Sequence, residues 1–329
     1  MGFRTIFLTG LRVLATCLLF AVCFVAGGAL SGIDKIAQQT AGSQIAPLHP
    51  AVPGNQQVPQ MPENFLGSFL VLTLCAGGTL SYLILRSRWH GWVLAGAIFV
   101  SMYGIATVGS QVETVAFLSN KLPPGMIRAI FAQGAIATAL FAPLAVLALG
   151  KWHAGSQGAP SVRAGSFGVW VPRSPAAPRK PAVILLRVAI LVAAFVFLYM
   201  FFGYYVAWRN PELRSFYAGP EHASFWEAWR YNWTTSPWIY PLAALRALLY
   251  IACLYPIVRM LYASRWESAL AAALFLTCWT TILRLPNPLM PASVARSHFW
   301  ETLGFSLVFG ALAGWLLCVT APALQRERT

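Results

Sequence analysis

Apolar residues in this chain fall in blocks and do not alternate with polar ones. Eight blocks of about 20 residues occupy 13–30, 65–85, 91–112, 126–149, 183–207, 238–258, 266–283 and 300–320. At about 1.5 Å of rise per residue, each is long enough to cross a hydrocarbon core of about 30 Å as a helix. The pattern therefore predicts an all-α, polytopic membrane protein with eight transmembrane helices. A closed β-barrel also satisfies its backbone in lipid, but it requires short alternating segments with a polar lumen face, and the chain has none.

The polar intervals divide the spans into two sets of four, residues 1–150 and 183–329, separated by a basic break at 151–182. The first block follows Arg4 and Arg12 and fits both a first span and a cleavable signal sequence; its length favours an uncleaved span. Residues 31–63 are rich in Gln, Pro and Gly and read as a mobile outer loop. In the fourth block Pro143 predicts a kink. The loop 209–237 is aromatic. There Ser224 and Glu227 have the spacing of a capping box, and Trp226, Trp229 and Trp233 recur at i, i+3 and i+7. This predicts a short amphipathic helix lying in the headgroup layer. In the last block Ser306, Gly310 and Gly314 form a smooth stripe, with a shorter version at Gly77 and Ser81, and both point to close packing inside the bundle before dimerisation.

Charge changes the picture by fixing an orientation. A net charge of +14 invites a nucleic-acid reading, but the basic residues sit at the ends of apolar blocks and form no stripe or arm. Eight spans place both termini on one side. That side collects fourteen Lys and Arg against two acids, while the other has nine against seven. The positive-inside bias thus puts both termini in the cytoplasm and, in a bacterial host, the protein in the cell membrane. All six cysteines lie inside apolar blocks without CxxC spacing, so neither a disulfide framework nor a thiolate zinc site is indicated.

Candidate chemistry gathers on the outer side. Residues 283–314 read as a proline-broken loop carrying Arg284, Arg296, His298 and Glu301 that runs into an apolar helix. Glu113 ends the third block, Arg128 begins the fourth, and Arg246 lies about 12 Å into the sixth. Charges at such depth cost a few kcal/mol unless paired or wetted, which makes their convergence a site hypothesis. The bland alternatives are a Glu113–Arg128 pair across the hairpin and snorkelling of Arg284 and Arg296 to the headgroups. For Arg246, apolar on both sides for two turns, a carboxylate, phosphate or water is needed. His298 and Glu301 share a helix face and suit an acid/base pair. A lone HxxE is weak evidence for a metal site, even with Glu113 and His222 on the same side, so no metal is assigned. The chain has no GxGxxG, P-loop, GxSxG or HExxH motif, and no cofactor is identified.

Two functions follow as expectations. The first is an outer-side site for an anionic, lipid-linked or phosphate-bearing substrate, with Arg246, Arg284, Arg296 and Arg128 as anion partners. Glu301 or Glu113 would serve it as base or coupling carboxylate, and His298 as proton carrier, with transfer, hydrolysis and translocation all open. The second is a non-catalytic accessory subunit that meets a protein partner through Trp226 and Trp229. Membrane lipids surround the chain in either case.

Overall fold

The computed structural model describes residues 3–33, 35–36, 65–119, 122–153, 181–261, 263–285 and 290–318. The expected loops 31–63 and 151–182 fall largely outside the described residues, as do residues 319–329. Among the described residues ten helices follow in order: α1 Phe3–Ser31, α2 Phe65–Arg86, α3 Gly91–Phe117, α4 Met126–Ala148, α5 Pro181–Ala207, α6 Pro211–Tyr217, α7 Phe225–Thr235, α8 Ile239–Met260, α9 Arg265–Arg284 and α10 Ala292–Leu317. All but α6 and α7 are long and apolar enough to cross a membrane. The chain is an all-α polytopic membrane protein, as its apolar blocks predict. Among the described residues there is no strand, only an isolated β-bridge between Ser87 and Leu261.

Helix ends differ from the block ends where polar residues continue a helix. α1 starts at Phe3 and carries Arg4 and Arg12. α10 starts at Ala292, with Pro291 as its N-cap residue. Arg296, His298 and Glu301, expected in a loop running into the last span, are therefore already helical. Hydropathy stops where charge begins, whereas backbone hydrogen bonding does not.

Two spans change register near one end of the bundle. α3 passes through a π-helical segment at Tyr103–Gly109, and α5 finishes in another at Gly203–Ala207. Such wide turns recur at functional sites because they re-aim side chains and carbonyls.

One core runs through the spans. In it Phe195 of α5 meets Phe305 and Phe309 of α10 edge-on, with centroids 4.8 and 5.0 Å apart. The stripe on α10 packs internally, as its spacing predicts: a Cβ on Gly310 would lie 2.6 Å from the Cα of Ala273, and one on Gly314 would overlap the carbonyl of Ser268. Small residues there let the α9 and α10 backbones touch. Gly77 plays the same part against Cys17 of α1.

The two ends of the bundle are closed differently. At the end where α1 begins and α10 finishes, Arg86 holds Glu267 at 2.6 Å, and Tyr82 donates to the same carboxylate at 3.0 Å. There too Lys151 Nζ donates to the Ser87 carbonyl at 2.7 Å, and Arg187 caps α10 through the Leu316 carbonyl at 2.7 Å. The other end carries α6, α7 and the candidate site.

Candidate functional site

Arg246 lies on α8 two turns in from its start and is 7% exposed. Its Nη1 pairs with Glu113 of α3, and its Nε donates to the Gly109 carbonyl at 3.2 Å. Gly109 is the last residue of the π segment, so the register change presents that carbonyl to α8. A Cβ there would overlap the Tyr250 ring, which explains why the position is glycine. Rings of Tyr199, Phe195 and Tyr250 stand 5.5, 5.8 and 5.8 Å from the guanidinium carbon. Desolvated cation–π contacts of this kind contribute up to about 2 kcal/mol. Arg246 is thus satisfied by carboxylate, carbonyl and π faces together, which offsets the cost of a buried charge.

Nearly two turns into α10, His298 is held from both sides. Its Nδ1 lies 2.7 Å from Glu301 Oε2 and its Nε2 3.1 Å from the Tyr217 hydroxyl. The side chains of His298 and Glu301 are only 22% and 14% exposed. A carboxylate can only accept, so the proton sits on Nδ1. In the neutral ring Nε2 then accepts from Tyr217. Tyr217 lies outside the spans, at the end of α6. Burial, and then the charges of Glu113 and Glu301, push its hydroxyl well above the ordinary tyrosine value and keep it a donor. Uptake of a proton at Nε2 reverses the direction of that bond.

The two groups are neighbours. Tyr199 of α5 lies within electrostatic reach of Glu113, Arg246 and Glu301, and His298 within reach of Glu113. The second π segment also touches the site: a Cβ at Gly203 would sit 3.4 Å from Glu301 Oε1. Glu113, with 34% of its side chain exposed, is the most open acid of the group.

Tyr217 reaches His298 because α6 is fastened to α10. Asn210 caps α6 by accepting from the Glu212 amide at 3.0 Å, and its amide nitrogen donates to Ser297 Oγ at 2.9 Å and the Ser293 carbonyl at 3.3 Å. The Ser293 hydroxyl donates to Glu212. Arg214 closes the helix by donating to the Trp208 carbonyl at 2.8 Å and pairing with Glu221 at 3.1 Å.

Of the seven residues singled out in the sequence, the structure brings together Glu113, Arg246, His298 and Glu301. Glu113 turns to Arg246 instead of Arg128, which is exposed at the start of α4. Arg284 and Arg296 are also exposed, Arg284 lying 5.9 Å over the Phe299 ring. His222 belongs elsewhere, 3.9 Å from Glu227 and packed on Tyr231. Among the described residues no three His, Cys, Asp or Glu side chains are placed to share a metal ion. Sequence reasoning did not find Tyr217, Tyr199, Tyr250 or Gly109. A signal existed for the first: Asn210-Pro211-Glu212 is a cap, an N1 proline and a first-turn acid, which announces the helix that carries Tyr217.

Comparison with known proteins finds no matching family model, no similar curated protein and no similar solved structure.

Proposed function

We propose that this end of the bundle faces the outside of the membrane and binds an anionic, lipid-linked or phosphate-bearing substrate, whose protonation is handled by Glu301, His298 and Tyr217. One observation carries the reading: a largely buried carboxylate–imidazole–phenol chain, 2.7 and 3.1 Å in its two links, whose outer member belongs to a helix outside the spans. Such a chain moves a proton between the bundle interior and whatever meets Tyr217. The exposed guanidinium groups of Arg284 and Arg296, on the same end, supply the attraction for an anion. Arg246 takes a different part from the one its sequence position implied. Its charge is matched by Glu113, so it fixes that carboxylate and does not serve as the phosphate partner.

The accessory-subunit alternative is less well supported, because one of its two anchors is turned inward. Trp229 is half-buried and packs on Tyr240 at 5.3 Å.

Native mass spectrometry of the gently purified protein tests the proposal. Wild type should retain an anionic lipid or lipid phosphate that Arg284→Ala/Arg296→Ala loses and Glu301→Gln keeps. Equal adducts in all three, or a co-purified polypeptide without a small ligand, would overturn it.

A further inference from the structure

The exposed part of α7 is not uniform around the helix. At about 100° per residue, its seat on the bundle is the face of Phe225, Ala228 and Asn232. Phe225 packs on Tyr205 and Phe197 with centroids 5.9 and 6.0 Å away, and Asn232 meets Met200. The Tyr240 hydroxyl anchors the same side by donating to the Trp229 carbonyl at 2.8 Å. One flank of the seat then carries Trp226 and Trp233, 65% and 61% exposed, with Arg230 exposed beside them. The opposite flank carries Glu227, Tyr231 and Thr234. Two large indoles and a cation stand on one side, and an acid and hydroxyls on the other.

Connectivity fixes what the indole flank meets. Three residues separate Thr235 from Ile239, where the membrane-spanning α8 begins, so α7 lies at the rim of the apolar belt. The belt itself is continuous with the seat: Phe197, Phe201 and Tyr205 of α5 are 44%, 36% and 45% exposed. Indole rings are favoured at that level because they have an apolar body and one N–H donor, and an arginine beside them reaches lipid phosphate.

We infer that α7 is a bilayer-surface platform: Trp226 and Trp233 enter the headgroup layer of the phospholipid bilayer, Arg230 pairs with lipid phosphate, and Glu227 and Thr234 face water. The platform does not depend on the substrate reading above. It holds the loop between α5 and α8 at a fixed depth, and with it the start of α8.

Site-directed spin labelling of the full chain in phospholipid vesicles tests this. Cys75→Ala removes the one exposed thiol, since the other five are buried. In that background Trp226→Cys, Trp233→Cys and Thr234→Cys are labelled one at a time, and collision with oxygen, enriched in the bilayer, is compared with collision with a water-soluble nickel chelate. Labels at 226 and 233 should favour oxygen and the label at 234 should favour nickel. Nickel access at all three would overturn the proposal, as would shielding of 226 and 233 from both reagents, the signature of a protein covering that flank. In vesicles of anionic lipid, Arg230→Glu should move the label at 226 toward nickel access; no change would refute the phosphate contact.

Discussion

At position 246 a guanidinium that is 7% exposed has to be satisfied without water, and three kinds of partner share the task. Removing one member of a buried ion pair leaves the other charge uncompensated, at a cost of about 3–5 kcal/mol. Arg246→Ala should fall in that range. Glu113→Ala should lie at its upper end, because it strands the 7% exposed guanidinium, whereas Arg246→Ala leaves Glu113, which is 34% exposed and screened by water. The paired change Glu113→Ala/Arg246→Ala should cost much less than the two single losses added, as a double-mutant cycle by equilibrium unfolding would show. Additive losses would mean that the pair is incidental. At Tyr217 the expectation concerns protons instead of stability: Tyr217→Phe removes the donor to His298 Nε2 while the 2.7 Å contact with Glu301 stays. Nitrogen NMR of His298 should then show a changed Nε2 signal and an unchanged hydrogen-bonded Nδ1.

Helices act as units in placing these residues, and two of them can be perturbed separately. Asn210→Ala removes the cap of α6, worth about 1 kcal/mol, and with it the tie to Ser297. Hydrogen exchange should accelerate across Pro211–Tyr217 and leave α9 unchanged. Gly314→Val forces a side chain into the Ser268 carbonyl and should destabilise the bundle by about 1–3 kcal/mol, whereas Gly96→Ala, which meets nothing within 4 Å, should be neutral or better. If the Gly314 variant unfolds like wild type, the α9–α10 contact is looser than described. At this scale the sequence was uneven as a guide. The Ser224–Glu227 box was readable and appears as a cap, the Glu227 amide bonded to Ser224 Oγ at 3.2 Å. The glycine stripe was readable too, since backbone contact leaves room only for small residues. The π segments were not, because their register depends on what packs beside them: Gly109 is selected by the Tyr250 ring of another helix. Tyr217 was hidden for the same reason, its role arising from the fastening of α6 to α10.

Over the whole molecule, apolar block length predicted the number of spans because each span must bury its backbone polar groups within itself. It could not tell which of the charges converge, since block length places Arg246 two turns into its span and Arg128 near the start of its own but says nothing of the helix face each occupies. The end opposite the site supplies a pH test. Burial, and then the charge of Lys151, hold the His90 imidazole below the ordinary histidine value. The fold therefore favours neutral His90, and its contribution is present above the unfolded value of about 6.5 and lost as pH falls below it. His90→Gln should flatten that part of the stability–pH curve; an unchanged slope would place the acid sensitivity elsewhere. The central claim couples an anion on the outside to a proton on His298. The most direct measurement is nitrogen NMR of histidine-labelled protein in bilayers, with His298 assigned through His298→Asn, before and after addition of a long-chain lipid phosphate. The account predicts a shift of the His298 ring toward imidazolium that is absent in Arg284→Ala/Arg296→Ala. A His298 signal indifferent to saturating lipid phosphate in wild type would contradict it.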